Sequence, residues 1–422
     1  MTTLSLSMLA ELPRRSNALS GGRRRQSGVA LLAMLTLLTL FGLYLFVGQL
    51  SAMQPRLARE QEAATALAEA RAALIGDAIS WPSIYDAGYL RMPDLGSRSG
   101  VITEGEASTT FPGDGKDLSV LGKFPWNTLH STVLRDAQGG CLWYAVSGRF
   151  KKDAFKTDQL NWDTLGQIDI VDGSNNVIAS NVAAVLVAPG RALDGQSRVL
   201  ADAVYSECGG NYDARNYLDS FVSADAIGGQ VNYFSGSTNN RVAPNTSNKR
   251  FVMANTDHYN DRFAFISGDD LFNPIMRRSD FAQAIGNLLD TPVFQTYLKS
   301  IDVAGNKGTD NIECSAAAVP NRDFCDNWKE MLFLTQISPP SAITINGVTS
   351  PFPCSRVLIF AGRKSVGQSR SDALEKADKR NYLEGLNVSS FAVPNATATA
   401  FSGSAVGFSA ASPATDLVRC LP

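Results

Sequence analysis

From Val29 to Leu50 the chain runs 22 residues without a charge. A helix rises about 1.5 Å per residue and needs ~20 apolar residues to cross a hydrocarbon core of roughly 30 Å. One membrane-spanning helix is therefore predicted. Pro55 lacks a backbone donor and crowds the preceding turn, so it predicts a bend or a restart there. From Arg56 to Ile79 the pattern becomes amphipathic. Leu57, Ala64, Leu67, Leu74, Ile75 and Ala78 fall near one face, and Arg59, Glu60, Glu62, Glu69 and Asp77 fall mostly elsewhere. Val29 to Ile79 together would form an N-terminal helix of roughly 75 Å, apolar in one half and amphipathic in the other.

After Trp81 the pattern changes again: Gly, Pro, Ser and Asn become common and β-branched runs appear. This part is about 340 residues long, beyond the ~100 to 200 of an ordinary domain, so two modules are expected. An internal repeat points the same way. Val185 to Arg198 aligns without a gap to Val357 to Arg370, with eight identities in 14 positions. Arg215-Asn216-Tyr217-Leu218-Asp219 then parallels Arg380-Asn381-Tyr382-Leu383-Glu384, and Gln167 to Gly173 is loosely echoed by Ala342 to Gly347. Each copy reads as an alternating strand, a turn at Asp-Gly or Asn-Gly, and a returning apolar strand that breaks at Gly190 or Gly362. The arginine of each Gly-Gln-Ser-Arg is expected to pin carbonyls at a strand end, since a guanidinium offers five donors. The tyrosine of each Asn-Tyr-Leu is expected in a core. Further helices are predicted over Ser279 to Leu289, with Ser279 as N-cap, and over Ser371 to Leu383. The tail from Ala392 to Ser412 reads as an edge strand or a loose segment. The fold class is thus α+β. A leader (1–28) precedes a long helix (29–80), and a β-rich, disulfide-stabilised head follows, with one module over 81–270 and a related one over 271–422.

Charge orients the span. Arg14, Arg15, Arg23, Arg24 and Arg25 precede it, and the nearest basic residues after it are Arg56 and Arg59, so residues 1–28 are expected in the cytoplasm. Without those 28 residues, 33 Lys/Arg face 39 Asp/Glu, a mature charge of about −6, and no basic face suggests nucleic-acid binding. The six cysteines, Cys141, Cys208, Cys314, Cys325, Cys354 and Cys420, all follow the span. In an oxidising periplasm they suggest disulfides, with 15 possible connectivities. Cys314 to Cys325 closes the shortest loop and is the first expectation, and Cys420 is expected to tie down the tail.

Catalysis and metal binding find little support. Gly-Gln-Ser-Arg-Val and Gly-Gln-Ser-Arg-Ser lack the last glycine of a nucleophile elbow, and no motif surrounds His130 or His258. A non-enzymatic chain without an obligate cofactor is expected. Calcium is the ion that fits best, through Asp169, Asp172 and Asn175 around Gly173, through Asp257 with Asn260 and Asp261, or through Asp269 with Asp270, although carboxylates in such turns usually serve the turn itself.

The flanks of the apolar run separate three readings. A secretory signal would have a shorter core and a cut beyond it, an uncleaved anchor would have no cut, and a prepilin leader is cut before the core. Arg23-Arg24-Arg25-Gln26-Ser27-Gly28, followed by Val29-Ala30-Leu31-Leu32-Ala33, resembles the N-terminus of type IV pilin-like proteins, above all minor pilins and type II secretion pseudopilins. The resemblance implies a prepilin peptidase site between Gly28 and Val29 and a methylated mature N-terminus. It also implies partners among other pilin-like subunits and an inner-membrane assembly platform. The family pattern has a glutamate at the fifth residue after the cut, where Ala33 stands, so a repeating shaft subunit is disfavoured. Gly122 to Leu129, Leu134 to Gly139 and Leu142 to Ser147 are similar to segments of a poorly characterised bacterial prepilin-like group. The expected function is a minor subunit at a filament's tip or in the initiation of assembly, adhesion included, held in the inner membrane by one helix before assembly with its head in the periplasm or at the cell surface. The alternative is a single-span envelope protein with a periplasmic ligand-binding domain.

Overall fold

A computed structural model describes residues 27–96, 103–109, 119–152, 159–199, 207–208, 210–219, 249–256 and 259–422, apart from the side chains at 27–28, 47–56 and 249. Helix α1 spans Ser27–Ile79. Within it, Val29–Phe46 is 18 residues long and apolar enough to cross a membrane, and every side chain there is exposed. Its threonine hydroxyls need no outside partner, because Thr36 donates to the Ala33 carbonyl and Thr39 to that of Thr36, both at 2.9 Å. Arg59–Pro422 forms one compact unit. Its share of α1 buries Ala63, Ala66, Leu67, Ala70, Leu74 and Ala78, a stripe at helical spacing. Ala64 and Leu57 are exposed, so the buried face lies slightly around the helix from the one predicted. At the end of α1 the orphan carbonyls find partners, Ala78 accepting from Gly88 N at 2.9 Å and Ile79 from Arg278 Nη1 at 2.6 Å.

The strands that follow are β1 (Val120–Lys123), β2 (Trp143–Val146), β3 (Ile168–Asp172), β4 (Val177–Val182), β5 (Ala184–Ala188), β6 (Lys249–Met253) and β7 (Arg262–Ile266). They form two sheets, β1-β2-β5-β7 and β4-β3-β6. Every residue of β5 is buried, because the sheet is covered on both faces. Ala184, Leu186 and Ala188 join the core that includes the α1 stripe, while Val185 and Val187 join Ile168, Ile170 and Phe251 of the second sheet.

Helices come next: α2 (Gly268–Ile275), α3 (Ser279–Asp290), α4 (Pro292–Ser300) and α5 (Arg322–Trp328). Phe281, Phe324 and Trp328 pack against one another and, with Trp162, fill the space beneath Phe360. The last strands are β8 (Leu332–Ser341), β9 (Thr344–Ile345), β10 (Val348–Thr349), β11 (Cys354–Phe360), β12 (Asn395–Ala396), β13 (Ala400–Phe401) and β14 (Leu417–Leu421), with short helices α6 (Ala373–Ala377) and α7 (Leu386–Ser390) between β11 and β12. They form sheets β12-β8-β11-β14 and β10-β9-β13. In register, Trp143 faces Val187 and Val187 faces Phe263; in the later sheet Phe333 faces Ile359 and Ile359 faces Val418. β3 runs parallel to β6, and β9 runs parallel to β13.

The chain is therefore mixed α+β with an N-terminal apolar helix, several sheets and three disulfides, Cys141–Cys208, Cys314–Cys325 and Cys354–Cys420. The last ties β11 to β14 and so holds the C-terminal strand. Helix α3 matches its predicted range, but its N-cap is Arg278, without a side-chain cap. The helix predicted over Ser371 to Leu383 is broken, because Asp372 caps α6 and Asp378 caps a 3₁₀ turn at Lys379–Asn381. Helix α2, unpredicted, starts with a capping box between Ser267 and Asp270, and it runs through the expected join at 270/271.

Candidate functional site

The two Gly-Gln-Ser-Arg segments build the same small device twice. Gly195 and Gly367 sit at φ +89° and +92°, a turn that side chains with a Cβ rarely adopt. The turn returns the glutamine onto its own loop: Gln196 Oε1 accepts from Leu193 N at 2.9 Å, and Gln368 Oε1 from Ser365 N at 2.8 Å. Each arginine then reaches back to the end of its strand. Arg198 donates to the carbonyls of Gly190 (2.7 Å), Pro189 (3.3 Å) and Asn216 (2.9 Å). Arg370 donates to Gly362 (3.1 and 3.2 Å) and Asn381 (2.6 Å). The guanidinium carbons lie 4.9 and 4.2 Å from the ring centroids of Tyr217 and Tyr382, both buried. Asn216 and Asn381 bind the Ser197 and Ser369 amides at 3.0 and 3.2 Å.

Two lysines, Lys123 buried and Lys307 partly buried, approach the same rings. Lys307 Nζ is 3.9 Å from the Tyr382 centroid and Lys123 Nζ is 5.7 Å from that of Tyr217. Burial lowers both ammonium groups, each to about 8. Neither lysine stands out in the sequence, since each lies in an ordinary strand or loop. The clamps differ in outside partners: Arg370 Nη1 also meets Asp163 Oδ2 at 2.7 Å in a fully buried ion pair, whereas Arg198 is half-buried.

An aspartate immediately precedes β7 and β14, the strands that pair with β5 and β11. Asp416 accepts from Gly362 N at 3.0 Å through Oδ1, and from Glu384 N at 3.3 Å and Asn387 Nδ2 at 2.7 Å through Oδ2. Burial pushes its carboxyl up to about 6. Asp261 precedes β7 in the same way and accepts from Asp219 N at 2.8 Å.

The described calcium candidates Asp169 and Asp172 are engaged by backbone amides. Asp169 accepts from Asn181 N at 2.9 Å, Asp172 accepts from Ser174 N and Asn176 N at 2.8 Å, and Asp257 lies outside the described residues. Asp169 and Asp172 thus serve strand and turn, while Asp261 is buried elsewhere. Among the described residues no three Asp, Glu, His or Cys side chains converge as a metal group. Gly28 and Val29 lie in the first turn of α1, and the leader arginines lie outside the described residues. Comparison with known protein families, with curated proteins and with solved structures finds no match.

Proposed function

We propose that this chain is a minor pilin-like or pseudopilin-like subunit, acting at the tip of a filament or in starting its assembly. The observation that carries the reading is the Val29–Phe46 stretch, exposed along its whole length within a helix that continues into a buried Ala/Leu stripe and directly follows Arg23-Arg24-Arg25-Gln26-Ser27-Gly28. Such a surface is stable only in lipid or against other apolar helices. A cut after Gly28 would free this helix to pass from membrane to filament core. Ala33 supplies no carboxylate there, which fits a subunit present in few copies.

The head acts through its surface rather than by catalysis, and it consists of two related modules. Their support is the shared order of six strands (β2 to β7 without gaps, and β8 to β11 with β13 and β14), the shared registers, and the two arginine clamps. Its partners are other pilin-like subunits, the prepilin peptidase and an inner-membrane assembly platform, with the head in the periplasm or displayed on the filament. Purified filaments labelled with antibody against the head are expected to carry the label at an end. Label spread along the shaft, or filaments without this chain, contradicts the proposal.

A further inference from the structure

The three disulfides present their sulfurs to different surroundings. Cys314 and Cys325 are 4% and 0% exposed, so the folded chain shields both sulfurs of that bridge. In the second bridge Cys354 is fully buried and Cys420 partly exposed. Its sulfurs face oxygen: Cys354 Sγ lies 3.6 Å from Ser350 Oγ and 3.9 Å from the Phe352 carbonyl, which is also 3.9 Å from Cys420 Sγ. A thiolate formed there would meet the negative end of a carbonyl dipole.

Cys141–Cys208 is the reverse case. Cys208 is partly exposed, while Cys141, 4% exposed, has a guanidinium beside it, with Arg135 Nη1 standing 4.0 Å from its Sγ. A cation next to sulfur stabilises the thiolate, and a thiol that ionises readily is the better leaving group. Both ends of the bridge are also held without it. Cys141 pairs with Arg135 across a turn, and Arg135 donates to the carbonyls of Gly139 at 3.2 Å and of Glu207, the residue before Cys208. Glu104, itself buried, accepts from the amides of Glu207 at 2.9 Å and Cys208 at 2.5 Å. The Glu207 carboxylate lies 3.9 Å from Arg135 but is 62% exposed, so water weakens its hold on the guanidinium. Opening the S–S bond therefore leaves two tethered sulfurs that can close again.

We propose that Cys141–Cys208 is an exchangeable disulfide that reacts with a dithiol reductant while the rest of the head stays bridged. A thiolate of the reductant attacks Cys208 Sγ, the S–S bond breaks, and Cys141 departs as a thiolate beside Arg135. The reductant's second thiolate then attacks its own sulfur in the mixed disulfide and releases Cys208. Two electrons and two protons pass from the dithiol, which becomes a disulfide, to the two cysteines. The test treats the folded full-length chain in detergent with limiting dithiothreitol, quenches by alkylation at intervals, and assigns label to the six cysteines by peptide mass spectrometry. Cys141 and Cys208 are expected to be labelled at least roughly tenfold faster than the other four. Arg135→Gln should slow that step at least roughly threefold, and Arg135→Lys, which keeps the charge, should slow it less, with Cys354–Cys420 opening at its wild-type rate in both. Earlier labelling of Cys354 and Cys420, or labelling of all six together, overturns the proposal whatever the variants do. So does a folded Arg135→Gln chain in which Cys141–Cys208 opens at or above the wild-type rate.

Discussion

Arg198 and Arg370 close the same loop at different depths. Both pin the carbonyls at a strand end and cover a tyrosine ring, yet Arg370 is buried and also paired with Asp163, 207 residues away, while Arg198 is half-buried. Bonds inside the motif are common to both copies; bonds that leave it differ. A repeated segment thus specifies its own local geometry, and the energetic weight of each copy is set by what folds against it. The second clamp joins the loop before β3 to the later sheets; the first closes only its own strand end.

The sharpest way to break this comparison is Arg370→Ala against Arg198→Ala. Removing one partner of a buried ion pair leaves the other uncompensated, so Arg370→Ala is expected to cost about 3–5 kcal/mol. Arg198→Ala loses hydrogen bonds at a half-exposed position and is expected to cost about 1–2 kcal/mol. Equal losses in denaturant unfolding would show that depth does not distinguish the clamps.

Two disulfides of the later half come next, ranked by the length of chain each closes. Cys354–Cys420, with a sequence separation of 66, bridges β11 and β14, whereas Cys314–Cys325 closes a separation of 11. Loop-closure entropy gives about 4 kcal/mol for the first and somewhat under 3 for the second. The paired Cys→Ser variants, compared by thermal unfolding, should keep that order; the reverse order would place the strain of unfolding elsewhere.

Asp416 gives a pH dependence of known sign. Its folded pKa, pushed to about 6 by burial, lies above the 3.8 of the unfolded chain, so the protonated form favours folding. That contribution is full below about pH 3.8 and is lost as pH rises through about 6, a change of at most roughly 3 kcal/mol. The difference in stability between wild type and Asp416→Asn, followed from pH 4 to 7, should shrink accordingly; a constant difference would refute the assignment. The smallest effect should be symmetrical. Gly195→Ala and Gly367→Ala each meet open space but force a residue with a Cβ into positive φ, costing about 1–2 kcal/mol in both copies. A large gap between them would break the equivalence of the two turns.

Much of this was legible in the chain. The apolar run, the amphipathic helix, the pinning role of Gly-Gln-Ser-Arg and the Cys314–Cys325 bridge follow from local spacing, which needs only neighbouring residues to be read. Helix α2 is legible as well, since Ser267 and Asp270 stand at capping-box spacing. The helix after Ser371 is shorter than its pattern suggests, because Asp372 and Asp378 act as caps that divide it. The contact of Asp136 with the Gly190 amide lay beyond reach, since 54 residues separate two groups that only the fold brings together. The partner of Arg370 was hidden for the same reason.

The junction between Gly28 and Val29 separates a filament subunit from a membrane-anchored protein most directly. Mass spectrometry of the protein from cells with an active prepilin peptidase is predicted to find a mature chain beginning at Val29 with a methylated amino group. A chain that retains Met1 to Gly28 would contradict the filament reading and leave a single-span envelope protein in its place.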